Sequence, residues 1–128
     1  MNSCLVLLAH GSKNPNWLKP FEQLVSDLKQ DVGEDKVVLC FMEYAAPSLH
    51  QVARQLFNNG ARHCRVLPLF MATGNHLQQD MPAQIADIRG QFPELEIELL
   101  PPIGEHPRFL DLMHRLAQQC MYDATPLP

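Results

Sequence analysis

The chain has 128 residues, 46% of them hydrophobic, which suits a single domain around one core. Its formal net charge is -4 and its ten Lys and Arg are scattered, so it carries no electrostatic footprint for nucleic acid. Only Met1 to Ser3 precede the first apolar run, too little for a membrane span or a basic leader, which predicts a cytoplasmic protein without a membrane partner.

The first predicted strand is Cys4–Ala9 (CLVLLA), which stops on His10, Gly11 and Ser12. A helical segment follows, in which Trp17, Phe21, Leu24, Val25 and Leu28 recur three and four apart. The second strand, Lys36–Met42, leads to Glu43. Pro47 and Ser48 then open a second helix, with Leu49, Val52, Ala53, Leu56 and Phe57 on one face and Asn58-Asn59-Gly60 as its stop. The third strand, Cys64–Phe70, runs into a loop ending at His76. Pro82 is expected in the first turns of the next helix, and Pro93 lies beyond that helix. The fourth strand, Leu95–Leu100, leads through Pro101-Pro102-Ile103-Gly104 to a last helix that begins near His106-Pro107 and carries Leu110, Met113, Leu116 and Ala117. The tail from Tyr122 to Pro128 is expected to be loosely ordered, leaving an ordered core of about residues 3–120.

Four strand–helix alternations imply an α/β fold of three layers, a mainly parallel four-stranded sheet with helices on both faces. The near-continuous apolar strands fit burial on both sides. Cys4, Cys40, Cys64 and Cys120 form no C-x-x-C pair and read as reduced thiols, three of them in strands.

In open parallel sheets ligands bind beyond the carboxyl ends of the strands. His10, Glu43 and His76 stand after the first three strands, on one edge of the sheet. Two imidazoles and one carboxylate are a suitable ligand set for a divalent first-row metal, and the same groups can accept protons. Spacing does not choose between these roles or a structural one. The histidines are 66 positions apart, with no H-x-x-x-H to seat two ligands on one helix.

Six stretches in order carry a resemblance: Ala9-His10-Gly11-Ser12 with Asn14-Pro15; Phe41–Leu49; Gly60-Ala61; Val66–Phe70; Gly74-Asn75-His76 with Asp80-Met81-Pro82; and Pro101–Pro107. Together, from about residue 4 to residue 117, the chain resembles the small sirohydrochlorin cobaltochelatases. The resemblance implies a class II chelatase fold and insertion of a divalent metal, Co2+ favoured and Fe2+ or Ni2+ as alternatives, into sirohydrochlorin for cobalamin or siroheme. The metal is a substrate, and no permanently bound cofactor is implied. Short members look like half of the longer, two-lobed chelatases and are expected to pair as homodimers. By the family pattern His10 is metal ligand and proton acceptor, His76 the second ligand, and Glu43 the nearby carboxylate. Tetrapyrrole contacts map onto Ala46 and the loop Met71, Ala72, Thr73, Gly74 and Asn75.

Two positions depart from the pattern. Ala46 stands where relatives often have a second glutamate, and Asn75 replaces a small residue, changes that touch substrate and metal preference. Because sirohydrochlorin carries carboxylates, Lys13, Arg108 and the backbone N–H groups near Ser12 and Pro47 are candidate contacts. His50, His63 and His114 read as exposed or structurally satisfied, and His106 as structural or supporting. Three rivals follow from the same residues. A tetrapyrrole or metal carrier would share the pocket without turnover. A histidine phosphatase needs an arginine where Ala9 stands, and a receiver or nucleotide module needs an acidic cluster or glycine-rich loop after the first strand.

Overall fold

The computed structural model describes residues 3–72 and 74–122, apart from the side chains of residues 75–77. Its elements are β1 (Ser3–Ala9), α1 (Pro15–Val32), β2 (Val37–Phe41), α2 (Leu49–Asn58), β3 (His63–Pro68), α3 (Asn75–Gln91), β4 (Glu96–Leu99), a 3₁₀ turn (Ile103–Glu105) and α4 (Pro107–Tyr122). The expected alternation is observed. Strand limits differ from the sequence reading by one or two residues, most at β3, which ends at Pro68 rather than Phe70.

The sheet is wholly parallel, in the order β2-β1-β3-β4. After β1 the chain steps to one side for β2 and then to the other for β3, so the topological switch point lies between β1 and β3. This is the crevice where an open sheet of this kind binds ligands.

Register fixes two faces. Leu8 lies beside Cys40, Val6 beside Val66, and Cys64 beside Ile97, so these side chains share one face. They form the main core with Leu49, Val52 and Ala53 of α2 and Met81, Ile85 and Ile88 of α3, all of them buried. A reciprocal cap sets the start of α2: the Gln51 N–H donates to Ser48 Oγ (3.2 Å), and the Ser48 N–H donates to Gln51 Oε1 (2.8 Å). α3 begins at Asn75, earlier than Pro82 suggested. Pro82 is its eighth residue and is exposed, so the expected place in the first turns is corrected to the helix interior.

The opposite face is covered unevenly. α1 lies over β2, with Trp17 against Phe41 at 6.4 Å between ring centroids. Over β3 and β4 this face ends in exposed Arg65 and Glu98, paired at 3.1 Å. α4 packs on the 3₁₀ turn and has no buried residue.

Among the described residues no helix is long and apolar enough to cross a membrane. Cys40 and Cys64 are buried free thiols; burial is the main cause that pushes them up to about 12 and about 11. Cys4 is raised as well, chiefly by burial, while Cys120 is exposed. The tail beyond residue 122 lies outside the described residues.

Candidate functional site

β1 delivers His10 to the switch point. The last four residues of β1 are buried, but His10 itself is exposed, and its ring rests on Phe70 with centroids 4.0 Å apart and planes inclined by 33°. Phe70 is buried just beyond β3, so the two sides of the crevice meet in this ring pair. The buried Phe70 ring thus backs an imidazole that is otherwise open to solvent.

The parallel ladder between β1 and β2 continues past the strand ends. The Met42 N–H donates to the Ala9 carbonyl (2.9 Å) and the Glu43 N–H to the His10 carbonyl (3.0 Å). Glu43 is exposed. This approach needs a glycine after His10: Gly11 has φ +102°, and a Cβ there would collide with the Glu43 carbonyl. A second close approach closes the other side of the rim. The Gly104 N–H donates to the Phe70 carbonyl (2.9 Å), and a Cβ at Gly104 would collide with the Met71 backbone. The loops after β1, β2, β3 and β4 are therefore joined in two backbone-to-backbone contacts.

Segment 42–47 arches over the end of β2 and returns through the Phe41 N–H to Pro47 carbonyl bond (2.9 Å). Ala46 is exposed on this arch, as are Met71, Ala72 and Gly74 across the crevice. Asn75 and His76 open α3, and their side chains, like all of Thr73, lie outside the described residues. The backbone thus brings every sequence-predicted position except Thr73 to one edge of the sheet. Among the described residues, which do not include the His76 side chain, no three His, Cys, Asp or Glu side chains cluster closely enough to hold an ion.

Two features were missed from sequence. Phe70 read only as the end of a strand, and nothing local marks it as the partner of a residue 60 positions away. Tyr44 has φ +64°, is 63% exposed, and lies beneath the Lys13 ammonium at 5.3 Å from its ring centroid. Lys13 therefore stands on the rim with its charge already directed over an aromatic ring.

The remaining histidines have structural partners or simple exposure. His50 pairs with Asp87 across α2 and α3 at 2.8 Å, and His63 lies 3.4 Å from Ser3 Oγ. His106 Nδ1 accepts from the Arg108 N–H (3.1 Å), capping the start of α4. His114 is exposed.

The CbiX family matches residues 4–120, nearly the whole chain. The chain belongs to the CbiX family. Its fold agrees with that of a CbiX protein from Marinobacter aquaeolei VT8, with a TM-score of 0.80 at 30% identity over 93% of this chain and 97% of that one. A sirohydrochlorin cobaltochelatase from Sulfurisphaera tokodaii is 29% identical, covering 94% of this chain and 96% of the relative. A chloroplastic sirohydrochlorin ferrochelatase from Arabidopsis thaliana is 27% identical over 91% of this chain, but there the chain spans only 52% of the relative's length. Both cobalt and iron names thus occur among relatives of this CbiX family member, on chains of the same length and of about twice the length.

Proposed function

We propose that the protein is a chelatase that inserts a divalent metal, cobalt favoured, into sirohydrochlorin. The observation that supports this best is the exposed His10 imidazole on its Phe70 floor at the switch point, in a chain matched to the CbiX family along residues 4–120. Metal enters the macrocycle as M2+ while two pyrrole N–H protons leave, so the protein must hold the ion weakly and remove two protons. Imidazole serves both needs, binding metal when neutral and taking a proton once the metal has moved to the ring.

In this reading His10 and His76 present the ion above the ring, and Glu43 completes the ligand set or accepts the second proton. Ala46 and the 71–75 segment bound the ring on either side of the crevice, and Lys13 meets a peripheral carboxylate. The metal and the tetrapyrrole are both substrates, and the protein holds no resident cofactor. Relatives named for cobalt and for iron leave the choice of ion to ligand affinity and cellular supply. The reduced thiols fit a cytoplasmic setting, and the resemblance to the short chelatases implies a homodimer.

The test follows the absorption change of sirohydrochlorin mixed with Co(II), Ni(II) or Fe(II), with and without protein. Acceleration is expected, greatest with Co(II), and His10→Ala is expected to abolish it without altering the far-ultraviolet circular dichroism. Binding of the tetrapyrrole with no acceleration by any of the three ions would instead establish a carrier, and full turnover in His10→Ala would remove His10 from the mechanism.

A further inference from the structure

The turns that follow β1 and β2 are locked backbone to backbone: the Glu43 N–H donates to the His10 carbonyl at 3.0 Å, and Gly11 lies against the Glu43 carbonyl. Each turn puts one side chain on the rim. Lys13 comes from the turn after β1 and Tyr44 from the turn after β2, with the ammonium 5.3 Å from the ring centroid.

Tyr44 is an uncommon residue for its backbone. Its φ of +64° lies in the left-handed region, where a Cβ crowds the neighbouring carbonyl, and among the described residues it is the one non-glycine residue with positive φ. Glycine or asparagine would take the same turn with less strain. Burial does not account for the tyrosine, because the residue is 63% exposed. The partner of its ring is Lys13. Strain kept at an exposed aromatic points to a use for that ring.

Lys13 is set apart as well. Lys29, Arg65 and Arg115 each pair with a carboxylate, but among the described residues no carboxylate forms an ion pair with Lys13. An ammonium resting on a neutral ring keeps its whole charge for an incoming anion, and it has three N–H donors to offer. The ring also restrains a flexible side chain, so less freedom is lost when the anion arrives.

We propose that Tyr44 is a positioning residue for the tetrapyrrole: its ring holds the Lys13 ammonium over the rim, where the ammonium grips one peripheral carboxylate of the incoming macrocycle. Tyr44 acts through Lys13 and takes no part in moving the metal or the protons. The inference rests on the chelatase reading and deepens it, naming the substrate group that this side of the crevice recognises. A peripheral carboxylate keeps its charge while metal replaces protons at the centre of the ring. The contact is therefore equal before and during metallation, and it acts on KM rather than on kcat.

Two measurements on the full chain test this: titration of metal-free sirohydrochlorin into the protein, followed by the absorption of the tetrapyrrole, and KM and kcat for its metallation by Co(II). The variants are Lys13→Met, Tyr44→Phe, Tyr44→Leu and the double change Tyr44→Leu/Lys13→Met, each checked for folding by circular dichroism. Should Tyr44→Leu fail to fold, Tyr44→Asn takes its place, since asparagine accepts the left-handed turn and has no ring. Lys13→Met is expected to weaken binding roughly 10-fold. Tyr44→Leu is expected to weaken it about 3-fold, and Tyr44→Phe, which keeps the ring face, less than about 2-fold. Each loss should fall on KM with kcat nearly unchanged, and in the Lys13→Met background Tyr44→Leu should cost nothing more.

Undiminished binding in Lys13→Met or in Tyr44→Leu would overturn the proposal. So would losses that fall on kcat, or a loss from Tyr44→Leu that is the same size with and without Lys13. A wild type that binds no sirohydrochlorin would overturn both the proposal and the chelatase reading. A wild type that binds it with the expected pattern of variants, yet accelerates metallation by none of Co(II), Ni(II) and Fe(II), would overturn the chelatase reading alone.

Discussion

α2 and α4 are both amphipathic helices, of ten and sixteen residues, yet the shorter buries Leu49, Val52 and Ala53 and the longer buries nothing. The difference lies in what each meets. α2 returns onto a sheet face where four strands present aliphatic side chains in register, and α3 lies beside it. α4 leaves β4 through Pro101 and Pro102 and the 3₁₀ turn, and the sheet face nearest it carries the Arg65–Glu98 pair. An apolar stripe states that a helix needs a partner; it does not state that the partner is in the same chain.

The largest effect that separates the two regions is expected in the core. Ile88→Ala opens a cavity beneath α3, where the side chain is 0% exposed, and should cost ~2–5 kcal/mol in urea unfolding. A loss below about 1 kcal/mol would mean that this face is far more loosely packed than the register implies.

Alkaline titration probes the same face through Cys40 and Cys64. Both thiols are held protonated by burial while unfolded thiols ionise near 9, so the unfolded state binds fewer protons as pH rises. Stability is then fully present below about pH 9 and lost progressively toward 11 to 12, with a slope of about 1.4 kcal/mol per pH unit per buried thiol. Cys40→Ala should flatten that slope, whereas Cys120→Ala, on exposed α4, should leave it unchanged.

Ser48→Ala removes the α2 cap and should cost about 1 kcal/mol by thermal or urea unfolding. The smallest effect is on α4. Leu116→Ala should change stability by less than ~0.5 kcal/mol in urea unfolding, as for a surface site. A loss of ~2 kcal/mol or more, the cost of a core truncation, would break the comparison between the helices.

Much of the fold was legible because its signals are local. The strand–helix alternation needs only apolar runs, and the start of α2 needs only Pro47 followed by Ser48. The edge that carries the candidate site was legible too, since parallel strands share their carboxyl ends. The position of Pro82 was less legible: proline favours the first turn of a helix, yet an exposed proline is accommodated at the eighth residue of α3.

By itself, then, the sequence determined that His10, Glu43 and His76 follow successive strands of a parallel sheet, and its ordered motifs implied the family that the matches establish. Only the tertiary structure decided that β1 and β3 flank the switch point, that His10 rests on Phe70, and that Gly11 and Gly104 bring separate loops into backbone contact. Those facts depend on strand order and on groups distant in sequence, which no periodicity or spacing along the chain encodes.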